Sequence, residues 1–204
     1  MEWLIRQAAQ QGYIHIVNDL LHITGDYPVP IIQTMGGITI SSFVSIKDVV
    51  LHEAAKGGHV AMVISMLDEY QSNFDYIGQG AAEGGHETLM FLATAYGSKD
   101  YNGMAKQAAK AGYSDIVMRM INRGARHVDG IIEQAADHGR VHIIMQLMNE
   151  TGYDDYDFIA YKAARNGYQC IVDMMIARGA TDLDGIAMEA EEGGHAHIAR
   201  HLTS

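Results

Sequence analysis

Residues Ala108–Ala125 read AAKAGYSDIVMRMINRGA, and close variants of that run recur along the chain. Its first alanine has counterparts at Ala8, Ala54, Ala81, Ala135, Ala163 and Ala190, so the seven copies lie 46, 27, 27, 27, 28 and 27 residues apart. Self-similarity at a short fixed period is the mark of stacked repeats, in which each unit is one supersecondary element. Four positions after each first alanine stands a glycine: Gly12, Gly58, Gly85, Gly112, Gly139, Gly167 and Gly194. Six positions before it, in all copies but the first, stands Asp48, Asp75, Asn102, Asp129, Asp157 or Asp184.

These columns predict a helix, a turn and a second helix. An Asp or Asn before an apolar run is expected to accept hydrogen bonds from the open N–H groups of a first helical turn. The glycine is expected to end that helix in a left-handed conformation, which costs little without a Cβ. Between them Leu4, Val50, Ile77, Met104, Ile131, Ile159 and Ile186 lie one helical turn before the alanine, on its face. Past the glycine a second apolar rhythm begins, with Ile16-Val17, Met62-Val63, Leu89-Met90, Ile116-Val117, Ile143-Ile144 and Ile171-Val172, and recurs four residues later. One such pair of short helices cannot cover its own apolar face, so stability must come from neighbours.

The runs AAKGGHVAMVISML (54–67), AAKAGYSDIVMRMINRGA (108–125) and AARNGYQCIVDMMIARGA (163–180) resemble the ankyrin repeat family, and the resemblance covers nearly all of the chain outside one insertion. Two departures stand out. The period is 27 rather than about 33, and the Thr-Pro-Leu-His opening of the first helix is absent. The missing residues fall where ankyrin repeats carry a β-hairpin finger, so the resemblance implies an all-α solenoid with short loops there. Repeats are expected near 2–25, 48–74, 75–101, 102–128, 129–156, 157–183 and 184–204, in a single domain spanning 1–204. Shortened repeats of this kind are similar to those of large DNA viruses. Glu191 replaces the second alanine in the last copy, as a polar C-terminal cap requires, and the first copy is expected to form an N-terminal cap.

The long first interval reflects 19 extra residues within 26–47, DYPVPIIQTMGGITISSFVSIK, which hold both prolines of the chain, Pro28 and Pro30. The β-branched run beside Gly36-Gly37 predicts a two-stranded hairpin. It is either a partner-binding loop or a cover for a gap in the stack.

Composition narrows the functional classes. A net charge of -11, with 14 scattered basic residues, argues against binding nucleic acid. No apolar stretch approaches the ~20 residues of a membrane span, and the opening residues lack signal-peptide features, so a soluble cytoplasmic protein, in a host cell or virion if viral, is expected rather than a secreted one. A single cysteine, Cys170, suits a reducing compartment.

Chemistry finds little footing. His59, His86 and His195 share a column with Tyr13, Tyr113, Arg140 and Tyr168, and a position accepting three side-chain types is read as hydrogen bonding between units. His138 with His142 and His197 with His201 have i, i+4 spacing, but the first pair spans the Gly139 break and the second lacks a third ligand. Nucleophile-elbow, phosphate-loop and zinc motifs are absent. No catalytic residue, cofactor or metal is expected.

A binding surface remains, with two candidate locations. Variable first-helix positions, two before the alanine (Arg6, His52, Gln79, Lys106, Glu133, Tyr161, Met188) and two after it, would line the groove that the family resemblance implies, or form an ordinary solvated face. Ten positions after the alanine stand Ile64, Phe91, Met118 and Met145, flanked by polar Asn18, Asp173 and Arg200. Those four form either an exposed apolar stripe or a column buried by tilted helices, with Leu92 and Met174 beside it. Loop tyrosines Tyr70, Tyr76, Tyr96, Tyr101, Tyr153 and Tyr156 sit near Asp75, Asp100, Asp154 and Asp155, either to contact a basic partner or to pack between loops. The expected function is a non-enzymatic protein–protein interaction module; the alternative is a self-associating, virion-associated structural protein using the apolar stripe.

Overall fold

The structure is a computed structural model that describes residues 1–26, 28–35, 38–69 and 73–202. Seven helical hairpins are present among them. The first is α1 (Glu2–Gln10) and α2 (Ile14–Thr24), followed by strands β1 (Pro28–Met35) and β2 (Ile38–Ser45). Then come α3 (Ile46–Lys56) with α4 (Val60–Glu69) and α5 (Phe74–Gly84) with α6 (Glu87–Ala95). Next are α7 (Tyr101–Ala111) with α8 (Ser114–Arg123), and α9 (Val128–Asp137) with α10 (Val141–Thr151). The last four helices are α11 (Tyr156–Arg165), α12 (Gln169–Arg178), α13 (Leu183–Glu192) and α14 (Ala196–Leu202). Backbone contacts divide the chain into two compact units, residues 1–100 and the remainder from Tyr101.

Within the first unit, α1 packs on α3 and α3 on α5; within the second, α7, α9, α11 and α13 stack in the same way. The alanine columns lie in these seams. Ala54, Ala81, Ala108, Ala135, Ala163 and Ala190 are completely buried, as are Val50, Ile77, Ile131, Ile159 and Ile186 one turn earlier. Small side chains let the helices approach, and each buried isoleucine contributes roughly 1.5–3 kcal/mol of transfer free energy.

All seven glycines of the repeat column have positive φ, from 67° at Gly139 to 101° at Gly112. The N–H of the residue after each donates to the carbonyl of the first alanine, from Tyr13 to Ala8 at 2.9 Å through to His195 to Ala190 at 2.7 Å. That closure answers one of the open carbonyls at the helix end. The second helices α8, α10 and α12 end in short loops without fingers, at 124–127, 152–155 and 179–182, whereas α2 leads into the β1–β2 hairpin.

The helix starts differ from the sequence expectation. Ser45, Asn73, Asp155 and Asp182 cap α3, α5, α11 and α13, their side chains accepting from the N–H groups of Lys47, Asp75, Phe158 and Gly185. The Asp of the repeat column lies two or three residues later than these caps, inside the first turn, and Asp48, Asp75, Asn102 and Asp157 reach the following repeat. Asp48 accepts from the Asn73 N–H at 3.3 Å, and Asn102 accepts from the N–H groups of Arg126 (2.7 Å) and His127 (3.0 Å). Asp157 accepts from those of Thr181 (2.7 Å) and Asp182 (3.0 Å). Asp75 performs a variant of this, accepting from the buried Ser98 hydroxyl at 2.6 Å.

The insertion is an antiparallel ladder running from Pro28 opposite Ser45 to Met35 opposite Ile38. With two strands, both are edges, where prolines are tolerated in a ladder. Gly36 and Gly37 lie outside the described residues.

Candidate binding surfaces

First-helix side chains two positions before and two after the alanine reach forward onto the next repeat. In the first unit Arg6 pairs with Glu2 (2.8 Å) and Glu53 (3.2 Å), Lys56 with Glu83 (3.0 Å), and the Gln79 amide donates to Asp100 at 2.6 Å. His52 lies 3.9 Å from Glu53 and 3.8 Å from Glu83. Burial holds its pKa below the ordinary 6.5, outweighing the pull of the two glutamates, so near neutral pH these are not ion pairs.

In the second unit Glu133 binds Lys162 at 2.5 Å, and the Lys162 ammonium lies 5.5 Å from the Phe158 ring centre. Lys106 lies across Gly130, whose missing Cβ leaves room for the lysine stem. The Tyr161 hydroxyl donates to Asp182 at 2.5 Å, a bond that pushes the phenol up to about 12 and joins the residue to the cap of α13. Arg165 reaches Glu189 (3.3 Å) and Glu192 (3.4 Å). Met188 is 56% exposed. The variable column is thus largely a ladder of side chains tying one repeat to the next.

The column after the glycine is a second lock. The rings of His59, His86, Tyr168 and His195 occupy the space where Gly12, Gly58, Gly139 and Gly167 would carry a Cβ. His59 Nε2 donates to the Gln10 carbonyl at 2.8 Å, His86 Nε2 to that of Lys56 at 3.1 Å, and Arg140 Nε to that of Lys110 at 3.1 Å. Each recipient belongs to the preceding repeat, which explains why imidazole, phenol and guanidinium alternate in this column: each places a flat group over a glycine.

One histidine of each i, i+4 pair has a structural partner. His138 Nδ1 meets the Gln134 carbonyl of its own helix at 3.0 Å, and His201 lies 3.4 Å from Asp173. No group of three metal-ligating side chains occurs among the described residues. Phe74 stacks on Tyr96 at 5.2 Å, Tyr153 is raised to about 12 chiefly by burial, and Tyr70 lies outside the described residues.

The four apolar stripe residues differ in exposure. Ile64 on α4 and Phe91 on α6 are 44% and 54% exposed, while Met118 on α8 and Met145 on α10 are half-buried. A larger apolar surface, which the sequence reading assigned to a cap, lies on the first hairpin. Trp3, Leu4, Tyr13 and Ile16 are each at least half exposed and border a cleft of about 340 Å³ between α1 and α2. Its signal was present in the repeat register, since Leu4 and Ile16 occupy columns that are apolar in every copy.

Helical hairpins joined by forward side-chain locks and short loops define a helical repeat stack, and the fold is that of ankyrin repeats. The chain matches the crystal structure of the human ASB11 ankyrin repeat domain with a TM-score of 0.56 and 16% identity, over 97% of this chain and 96% of that one. No family model and no curated protein matches the sequence. No helix among the described residues is long and apolar enough to cross a membrane.

Proposed function

We propose that the protein is a non-enzymatic scaffold that binds another protein. The observation that carries this reading is that the same register position on the consecutive second helices α4 and α6 presents Ile64 and Phe91 to solvent. The corresponding ankyrin position tolerates any residue, so folding does not call for large apolar groups there, whereas a protein partner gains by covering them. Met188, on the first-helix column, is a further anchor, and the acidic loop residues Asp154 and Asp155 favour a basic partner segment. The short period, similar to that of repeat proteins of large DNA viruses, supports a viral protein acting on a host or viral partner in the cytoplasm. Nucleic acid and membrane are not partners in this reading.

Affinity capture from host cytoplasm, with Ile64→Asp, Phe91→Asp and Met188→Asp variants beside the parent protein, tests it. The expected result is a specific protein lost, by about tenfold or more in affinity, with at least one variant while the melting temperature is unchanged. A partner retained equally by all three variants overturns the assignment of the surface. Self-association through Ile64 and Phe91 is the second reading, and light scattering of Phe91→Asp separates the two.

A further inference from the structure

We infer that the first hairpin carries a self-complementary docking face, and that its occupant is a second copy of this chain arranged about a two-fold axis. This surface is distinct from the partner surface proposed above, and neither depends on the other.

The repeats themselves show what kind of surface belongs against it. Val50, Ile77, Ile131, Ile159 and Ile186 have no exposed surface, and the first helix of the preceding repeat packs on the helix that carries each. Leu4, in the same column, is 50% exposed. Ile16 is also 50% exposed, whereas its counterparts Met62, Leu89, Ile143, Ile171 and Ile198 are at most 4% exposed. Tyr13 occupies the ring column that elsewhere covers a glycine, and is 56% exposed. This face therefore has the shape and chemistry of a repeat seam, receptive to helices packed at seam distance.

Size and shape favour a second copy. Met1, Trp3, Leu4, Tyr13, Ile16 and Ile23 are 50–72% exposed. Together they present roughly 700 Å² of side-chain surface, close to the ~800 Å² per partner of a standard interface. Trp3, 67% exposed, stands at the rim of the cleft whose other walls include Leu4, Gln7, Ile16 and Leu20, so one face offers both a projecting indole and a hollow. No carboxylate or cation lines that cleft, so the contact itself buries no charge.

The arrangement is two-fold rather than head-to-tail. Stacking the last repeat of one copy on the first of another would place Glu191 at the position where Ala9, Ala55, Ala82, Ala109, Ala136 and Ala164 are fully buried. Burying an unpaired carboxylate in such a seam is strongly unfavourable. A face that pairs with itself closes at two subunits.

Trp3 is the chain's single tryptophan and reports on the contact directly. Sedimentation equilibrium across a concentration series should show a monomer–dimer equilibrium that stops at the dimer, with Trp3 emission moving to the red on dilution. Trp3→Glu and Ile16→Glu should each weaken the dimer by about tenfold or more without altering the helical circular dichroism, while Phe91→Asp should leave it intact. Monomer at all concentrations, open-ended polymers, or a dimer indifferent to both N-terminal substitutions overturns the proposal. Should a substitution unfold the chain, the concentration dependence of the parent protein's emission decides: an unchanged spectrum overturns it.

Discussion

At the residue scale, the repeat is held by groups whose task is fixed by the neighbouring copy. Gly139 shows this: its φ of 67° suits a residue without a Cβ, and the Tyr168 ring of the next repeat fills the place a Cβ would take, 2.5 Å from its ideal position. Backbone strain and displacement of the ring act together at one atom. Gly139→Ala is therefore expected to cost about 2 kcal/mol, at the upper end of a left-handed Ala substitution, read as a lowered denaturant midpoint with an unchanged m-value. The glycine column and its left-handed turn were legible in the sequence. That a ring from the following repeat would sit on it was foreseen only as a hydrogen bond between units.

Among the elements, the Asp column carries the correction that matters most. An Asp six residues before a buried alanine looks like the start of a helix, but the caps stand two or three residues earlier. From inside the first turn Asp48, Asn102 and Asp157 instead accept from N–H groups at the start of the next repeat's first helix. Asp157 is the fullest case, accepting from the backbone of Thr181 and Asp182 at 2.7 and 3.0 Å. Asp157→Ala is expected to destabilise by about 1–2 kcal/mol, with Asp157→Asn, which keeps an acceptor, costing less than half as much. Hydrogen exchange should show the loss at the start of α13, in the following repeat, as much as in α11. Loss confined to α11 would show that the residue acts as an ordinary cap of its own helix.

For the molecule as a whole, the clearest external control on stability is pH. Burial lowers the His52 pKa, so below about 6.5 the unfolded chain takes up a proton at this imidazole that the folded chain still refuses. The unfolded state then binds more protons, and stability falls as pH drops from 6.5 through the folded pKa. Asp48 and Asp137 run the other way: burial raises both above 3.8, so their contribution is present below 3.8 and is lost as pH rises through the folded values. The melting temperature is expected to decline on mild acidification, and His52→Gln should flatten that decline. An identical pH profile in the two proteins would remove His52 as the cause.

The sequence alone determined the repeat, the helix–turn–helix unit, the left-handed glycine and the buried alanine seam. Those features follow from local geometry and from periodicity, which a single strand of text displays. It also located the hairpin insertion, through a Gly-Gly pair beside a β-branched run. Tertiary structure alone decided which polar columns face a neighbouring repeat, because the targets of Asp157, Tyr161 and His59 lie 21 to 49 residues away along the chain. The same holds for exposure: Leu4 and Ile77 occupy the same column, and whether another helix lies against it separates a docking face from a core.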